Sequence, residues 1–119
     1  MAKAELNFGE LGGGYQVYFK ELVAGSTMPQ DGKYTIGFRA KKLYIYTYTN
    51  FTNTQRTLEY DKDVYDTTGK YNFYVGGGVQ QVEIGSVVGP ASILAIDDTS
   101  ITLSPNDGHL VAIGFVAIG

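Results

Sequence analysis

The segment Leu43–Thr49 (LYIYTYT) constrains this chain more than any other. Leu43, Ile45 and Thr47 fall on one side of it, and Tyr44, Tyr46 and Tyr48 on the other. A period of two belongs to a strand, because successive side chains of extended backbone point to opposite faces. Aromatic and β-branched side chains also suit the pleated surface. Similar runs occur at Tyr15–Leu22, Tyr34–Phe38, Arg56–Tyr60, Tyr71–Val75, Val79–Ile84, Ser92–Ile96, Ser100–Leu103 and Leu110–Ile118. Turn chemistry separates them, as in Gly25–Gly32 (GSTMPQDG) and Ser104–Gly108 (SPNDG). In Tyr15–Leu22 the residues Tyr15, Val17 and Phe19 share a face. Roughly eight short strands at spacings of about ten residues predict an all-β fold, an antiparallel β-sandwich of jelly-roll-like form. No window predicts a helix. Residues 1–14 predict a flexible N-terminal arm hinged at Gly12-Gly13-Gly14, and residues 15–119 a single domain.

Charge and composition narrow the function classes. The 119 residues carry a net charge of −3 and only 18% charged side chains. The charge is uneven: residues 1–56 sum to +3 and residues 57–119 to −6. The nearest thing to a basic patch is Arg39, Lys41 and Lys42, far short of the stripe that phosphate neutralisation needs, so no nucleic-acid partner is expected. With no Cys, a disulfide framework and thiolate metal sites are impossible, and stability must rest on an apolar core or on neighbouring subunits. Met1–Glu10 has one Lys and no apolar run, so no signal peptide is expected. The longest apolar stretch, Leu110–Gly119, is half the roughly 20 residues of a spanning helix, so no membrane insertion is expected.

Catalytic constellations are scarce. The single His109 lies two residues from Asp107 inside a turn, and no Gly-x-Ser-x-Gly elbow accompanies it. Gly12–Gly14 and Gly76–Gly78 lack the following Lys-Ser/Thr of a phosphate loop and read as positive-φ or close-approach positions. Asp61, Asp63 and Asp66 (in DKDVYD) are the one calcium candidate. The stretch has no Gly at its sixth position, and Asn72 stands where a calcium loop has Glu. A solvated acidic loop is the alternative. No catalytic residue and no cofactor are expected, and the chain reads as a non-enzyme.

Surfaces are the better clue. The phenols Tyr44, Tyr46 and Tyr48, together with Tyr71, Phe73 and Tyr74, are a candidate aromatic contact face, for a subunit or for sugar stacking. Leu110–Gly119 (LVAIGFVAIG) carries no polar side chain. As an exposed edge it would aggregate, so it must be central in a sheet or packed on another chain. Its packing residues are Leu110, Ile113, Phe115 and Ile118. In the arm, Leu6, Phe8 and Leu11 are the candidate assembly contacts.

A resemblance covers residues 33 to 119. Gly37-Phe38-Arg39-Ala40-Lys41-Lys42-Leu43-Tyr44-Ile45-Tyr46 resembles a glycine–phenylalanine–basic–proline–basic signature leading into a hydrophobic strand. That signature belongs to small β-sandwich structural proteins of tailed bacteriophages and prophages. Tyr60-Asp61-Lys62-Asp63 is similar to their acidic segment, and Ile96–Leu103 to their entry into a Thr-Leu strand. Val116-Ala117-Ile118-Gly119 resembles their aliphatic–Ala–aliphatic–Gly ending. Ala40 stands where the pattern has Pro, and Ser100-Ile101 where it has Gly-Phe. The resemblance implies a non-enzymatic virion component, either tail-associated or a capsid decoration. It implies a homo-oligomer in contact with other virion proteins, assembled in the bacterial cytoplasm. The alternative is a carbohydrate-binding module that stacks a host-surface glycan on the same aromatics.

Overall fold

Residues 6–7, 16–50, 54–65 and 69–119 are described by the computed structural model. Among them ten strands form two antiparallel sheets. They are β1 (Leu6–Asn7), β2 (Gln16–Ala24), β3 (Lys33–Thr35), β4 (Lys42–Thr49), β5 (Thr54–Asp61), β6 (Lys70–Val75), β7 (Gly78–Glu83), β8 (Ile93–Ile96), β9 (Ser100–Leu103) and β10 (Leu110–Ile118). Seven of them make one sheet in the order β1-β2-β10-β4-β5-β6-β7, and three make the other in the order β3-β9-β8. The all-β sandwich expected from alternation is what the chain forms. It divides seven to three; beyond the nine alternating runs of the sequence the one addition is β1, paired with β2 through Leu6↔Val17. Two short helical turns also appear, a 3-10 turn at Gly25–Thr27 and α1 at Lys62–Tyr65. Of the N-terminal arm, Phe8, Leu11 and Gly12–Gly14 lie outside the described residues.

Strand β10 is central, as its apolar composition requires. It pairs with β2 on one side and β4 on the other. Register then assigns faces. Ile113, Phe115 and Ala117 sit opposite Thr47, Ile45 and Leu43 and point inward, all buried. Ala112, Gly114, Val116 and Ile118 sit opposite Tyr48, Tyr46, Tyr44 and Lys42 and point outward. Leu110 is inward too, although its spacing to Ile113 breaks the period of two. The reason is a β-bulge at Val111, between the pairs Leu110↔Thr49 and Ala112↔Tyr48. In β2, Tyr18 faces the core while Val17 and Phe19 face outward.

The core joins the two sheets. Phe115 of the large sheet stacks on Tyr18 (centroids 5.7 Å, planes 18° apart) and meets Tyr34 of the small sheet edge-on (5.0 Å, 75°). Ile36, Leu43, Ile45, Leu58, Ile93 and Ile101 complete the layer, each at most 1% exposed. The buried Tyr71 hydroxyl accepts the Ile93 N–H at 3.3 Å, tying β6 to the edge strand β8. Burial, and the nearby Tyr18, push the Tyr34 phenol up from the ordinary value near 10 to about 12.

A second bulge lies in β2, where Glu21 and Leu22 together oppose Gly114, between the pairs Ile113↔Val23 and Phe115↔Lys20. A Cβ on Gly114 would sit 2.9 Å from the Leu22 N and Cα atoms, and backbone cannot swing aside as a side chain can. Gly114→Ala is therefore expected to lower stability by about 1–3 kcal/mol in urea denaturation, against little change for an exposed substitution such as Val87→Ala. The raised Tyr34 value gives a second expectation. The folded state favours the neutral phenol, so this contribution is complete below pH 10 and is lost as pH rises through about 12. Melts from pH 8 to 12 should fall less steeply at the alkaline end in Tyr34→Phe than in the parent chain.

Candidate functional site

The small sheet covers one face of the large sheet and leaves the other open. Across the middle of the open face, register aligns Gly114 (β10), Tyr46 (β4), Thr57 (β5), Tyr74 (β6) and Val79 (β7), beside the Leu22 bulge of β2. A parallel row holds Phe19, Val116, Tyr44, Glu59, Asn72 and Gln81. Phe19, Leu22, Tyr46, Tyr48, Tyr74 and Val79 are 38–63% exposed. Gly114 and Ala112 have almost no side chain, so they floor shallow hollows of about 310 and 350 Å³ walled by Leu22 and Tyr46. The polar groups stand toward β6. The Tyr74 hydroxyl donates to Glu59 Oε1 at 3.0 Å and accepts from Asn72 Nδ2 at 3.1 Å.

The structure splits the six aromatics expected to form one contact face. Tyr44, Tyr46, Tyr48 and Tyr74 are on the open face. Tyr71 (0% exposed) and Phe73 (7%) belong to the core. The reason is parity: in β6 positions 71 and 73 are in phase with Leu58 of β5, and position 74 is out of phase. Of the C-terminal packing residues, Leu110, Ile113 and Phe115 are core, while Ile118 is half-buried at the margin of the open face.

A second site lies where β4 and β5 meet the loops at residues 88–90 and 107–109. It is a cavity of about 220 Å³ lined by Thr49, Arg56, Val88, Pro90, Asp107 and His109. Arg56 is on the inward face of β5, opposite Thr47 and Val75. Its guanidinium carbon stands 5.6 Å from the centre of the Phe73 ring, a cation–π contact, and its Nη1 lies where a Cβ on Gly89 would come within 2.7 Å. Its Nε is buried and has no hydrogen-bond partner among the described residues. Leaving such a donor unsatisfied costs about 1–3 kcal/mol. Asp107, the carboxylate in this cavity, is bonded instead to His109, Oδ1 to Nδ1 at 3.1 Å.

The cavity wall at Val88–Pro90 is held by hydrogen bonds. Ser92 Oγ accepts the Val88 N–H and donates to the Gly89 carbonyl, both at 2.8 Å. Ser104 Oγ accepts the Ser92 N–H and donates to the same carbonyl, both again at 2.8 Å. Ala91, fully buried, takes φ = 65°, a strained conformation for a residue with a Cβ. Sequence reasoning missed Arg56 as a site residue, although its parity with Leu58 and Tyr60 carries the signal.

No known protein family, characterised protein or solved structure matches this chain.

Of the calcium candidates, Asp66 lies outside the described residues. Asp61 Oδ1 accepts the Asp63 N–H at 3.0 Å, and Asp61 Oδ2 is 3.8 Å from Lys42 Nζ. Among the described residues no three His, Cys, Asp or Glu side chains converge. With Asp61 already served by Lys42 and a backbone donor, EDTA is expected to leave the melting temperature unchanged. A fall that added Ca²⁺ reverses would restore the calcium reading.

Proposed function

We propose that this chain is a non-catalytic structural subunit that works by contact, through the open face of its seven-stranded sheet. The observation that carries this reading is the exposed cluster of Phe19, Leu22, Tyr46 and Tyr48 on a sheet whose other face is covered. Monomeric proteins rarely leave a broad apolar patch in water, and aromatic centres with polar rims are the anatomy of protein interfaces. The aliphatic members of the patch favour a protein partner over a sugar. The partner proposed is a second copy of the chain. The proposed setting is the virion of a tailed bacteriophage, as a tail-associated or capsid-decoration component, on the resemblance carried by residues 33–119. The Met1–Gly14 segment is the proposed second contact, to other virion proteins.

A second reading has its own observation. Tyr44 and Tyr74 lie beside Glu59 and Asn72, and a carboxylate and an amide next to aromatic rings suit the hydroxyls and apolar face of a sugar. This is the carbohydrate-binding alternative, without Tyr71 and Phe73.

Sedimentation equilibrium of the full chain tests the first reading. The parent is expected to be oligomeric. Leu22→Lys with Tyr46→Lys is expected to be monomeric, with stability changed by no more than about 1 kcal/mol because both sites are exposed. A monomeric parent, or an oligomer indifferent to both substitutions, overturns it. A monomer that binds a glycan, and loses that binding in Tyr44→Ala and Tyr74→Ala, supports the second reading.

A further inference from the structure

Arg56 is an anomaly for the core of a sandwich. Arginine is almost never drawn inward unless something pairs with it. Here the stem and Nε are taken into the protein, Phe73 packs on the guanidinium, and Gly89 leaves it room. Among the described residues the ion pairs go elsewhere, Arg39 to Asp98 and Lys42 to Asp61, while Asp107 Oδ1 is hydrogen-bonded to His109. The opposite wall of the cavity, Val88–Pro90, is fixed by two buried serines that both donate to the Gly89 carbonyl, and the strained Ala91 directly follows it. A cation with no carboxylate partner among the described residues, in a cavity with a hydrogen-bonded wall, is a preorganised anion receptor.

We propose that this cavity binds a small monocarboxylate with an apolar body, the carboxylate on the Arg56 guanidinium and the body against Val88 and Pro90. Three features choose this class. The planar guanidinium matches a carboxylate in two parallel hydrogen bonds. Val88 and Pro90 line the same cavity and give an apolar surface that an aryl or alkyl body covers and a phosphate cannot. The volume of about 220 Å³ is somewhat larger than the roughly 150 Å³ cavity that accommodates benzene. An aryl or short branched aliphatic acid fits it; a long-chain acid does not. The site is separate from the open sheet face and independent of the function proposed for that face.

Sodium benzoate is the probe, titrated into the full-length chain and followed by amide chemical shifts. Benzyl alcohol serves as the neutral aryl analogue, and inorganic phosphate, titrated above neutral pH, as the dianion. The expected result is saturable binding of benzoate, with shifts concentrated at Thr49, Val88, Gly89 and His109. Benzyl alcohol should bind at least about tenfold more weakly, having lost the charge-assisted bonds. Phosphate should bind more weakly than benzoate. In Arg56→Gln the preference for benzoate over benzyl alcohol should disappear, and in Arg56→Lys it should be reduced. Should Arg56→Gln fail to fold, the three ligands on the parent chain still decide the matter together with Arg56→Lys. No saturable benzoate binding, equal binding of benzyl alcohol, phosphate binding as tight as benzoate, or an unchanged preference in a folded Arg56→Gln each overturns the proposal.

Discussion

Phe115 is the contact on which the rest of the molecule depends. It lies on the strand that holds two halves of the large sheet together, and its ring meets Tyr18 within that sheet and Tyr34 across the interlayer. Because β10 sits between β2 and β4, inward and outward faces are assigned on three strands at once by its register. The same register that buries Ile113, Phe115 and Ala117 turns Ala112, Gly114 and Val116 toward the open side. The core and the exposed patch are two faces of one pairing decision.

That coupling explains the shape of the open face. Gly114 is needed because the β2 bulge brings backbone against it, and its missing side chain then leaves a hollow beside Tyr46. The hollow follows from how the sheet is packed. The Arg56 cavity has a different origin, where β4 and β5 meet the loops at residues 88–90 and 107–109. There the serine pair fixes the Gly89 carbonyl while Val88 packs on the core.

Much of the fold was legible from alternation. Leu43–Thr49 reads as it folds, and the Gly76-Gly77 pair turns the β6–β7 hairpin with positive φ at both residues, as clustered glycines suggest. The β10 sequence, having no polar side chain, leaves either a central strand or one packed on another chain, and in the fold it is central. Three things were not legible. The bulge at Val111 shifts Leu110 into phase with Ile113, and bulges leave no local signature there. Alternation separates Tyr71 and Phe73 from Tyr74, but which of the two sets faces inward is decided only by pairing with Leu58 and Thr57 of β5. The wall of the arginine cavity depends on Ser92 meeting Ser104, and on both meeting Gly89, which is tertiary information. Arg56 itself was within reach: a charged residue in phase with Leu58 and Tyr60 is the departure from pattern that marks a site.

The placement of β10 has a kinetic consequence. Its two partners are β2 and β4, so the pairing with β2 joins residues 16–24 to residues 110–118. On a ribosome, β2 and β4 emerge long before the strand that must lie between them. Until then each offers an unpaired edge to whatever is nearby, and the entropy of closing so long a loop makes the final insertion slow. Without β10 nothing joins β2 to β4, and an open edge on either side is one that a strand of a neighbouring copy can take.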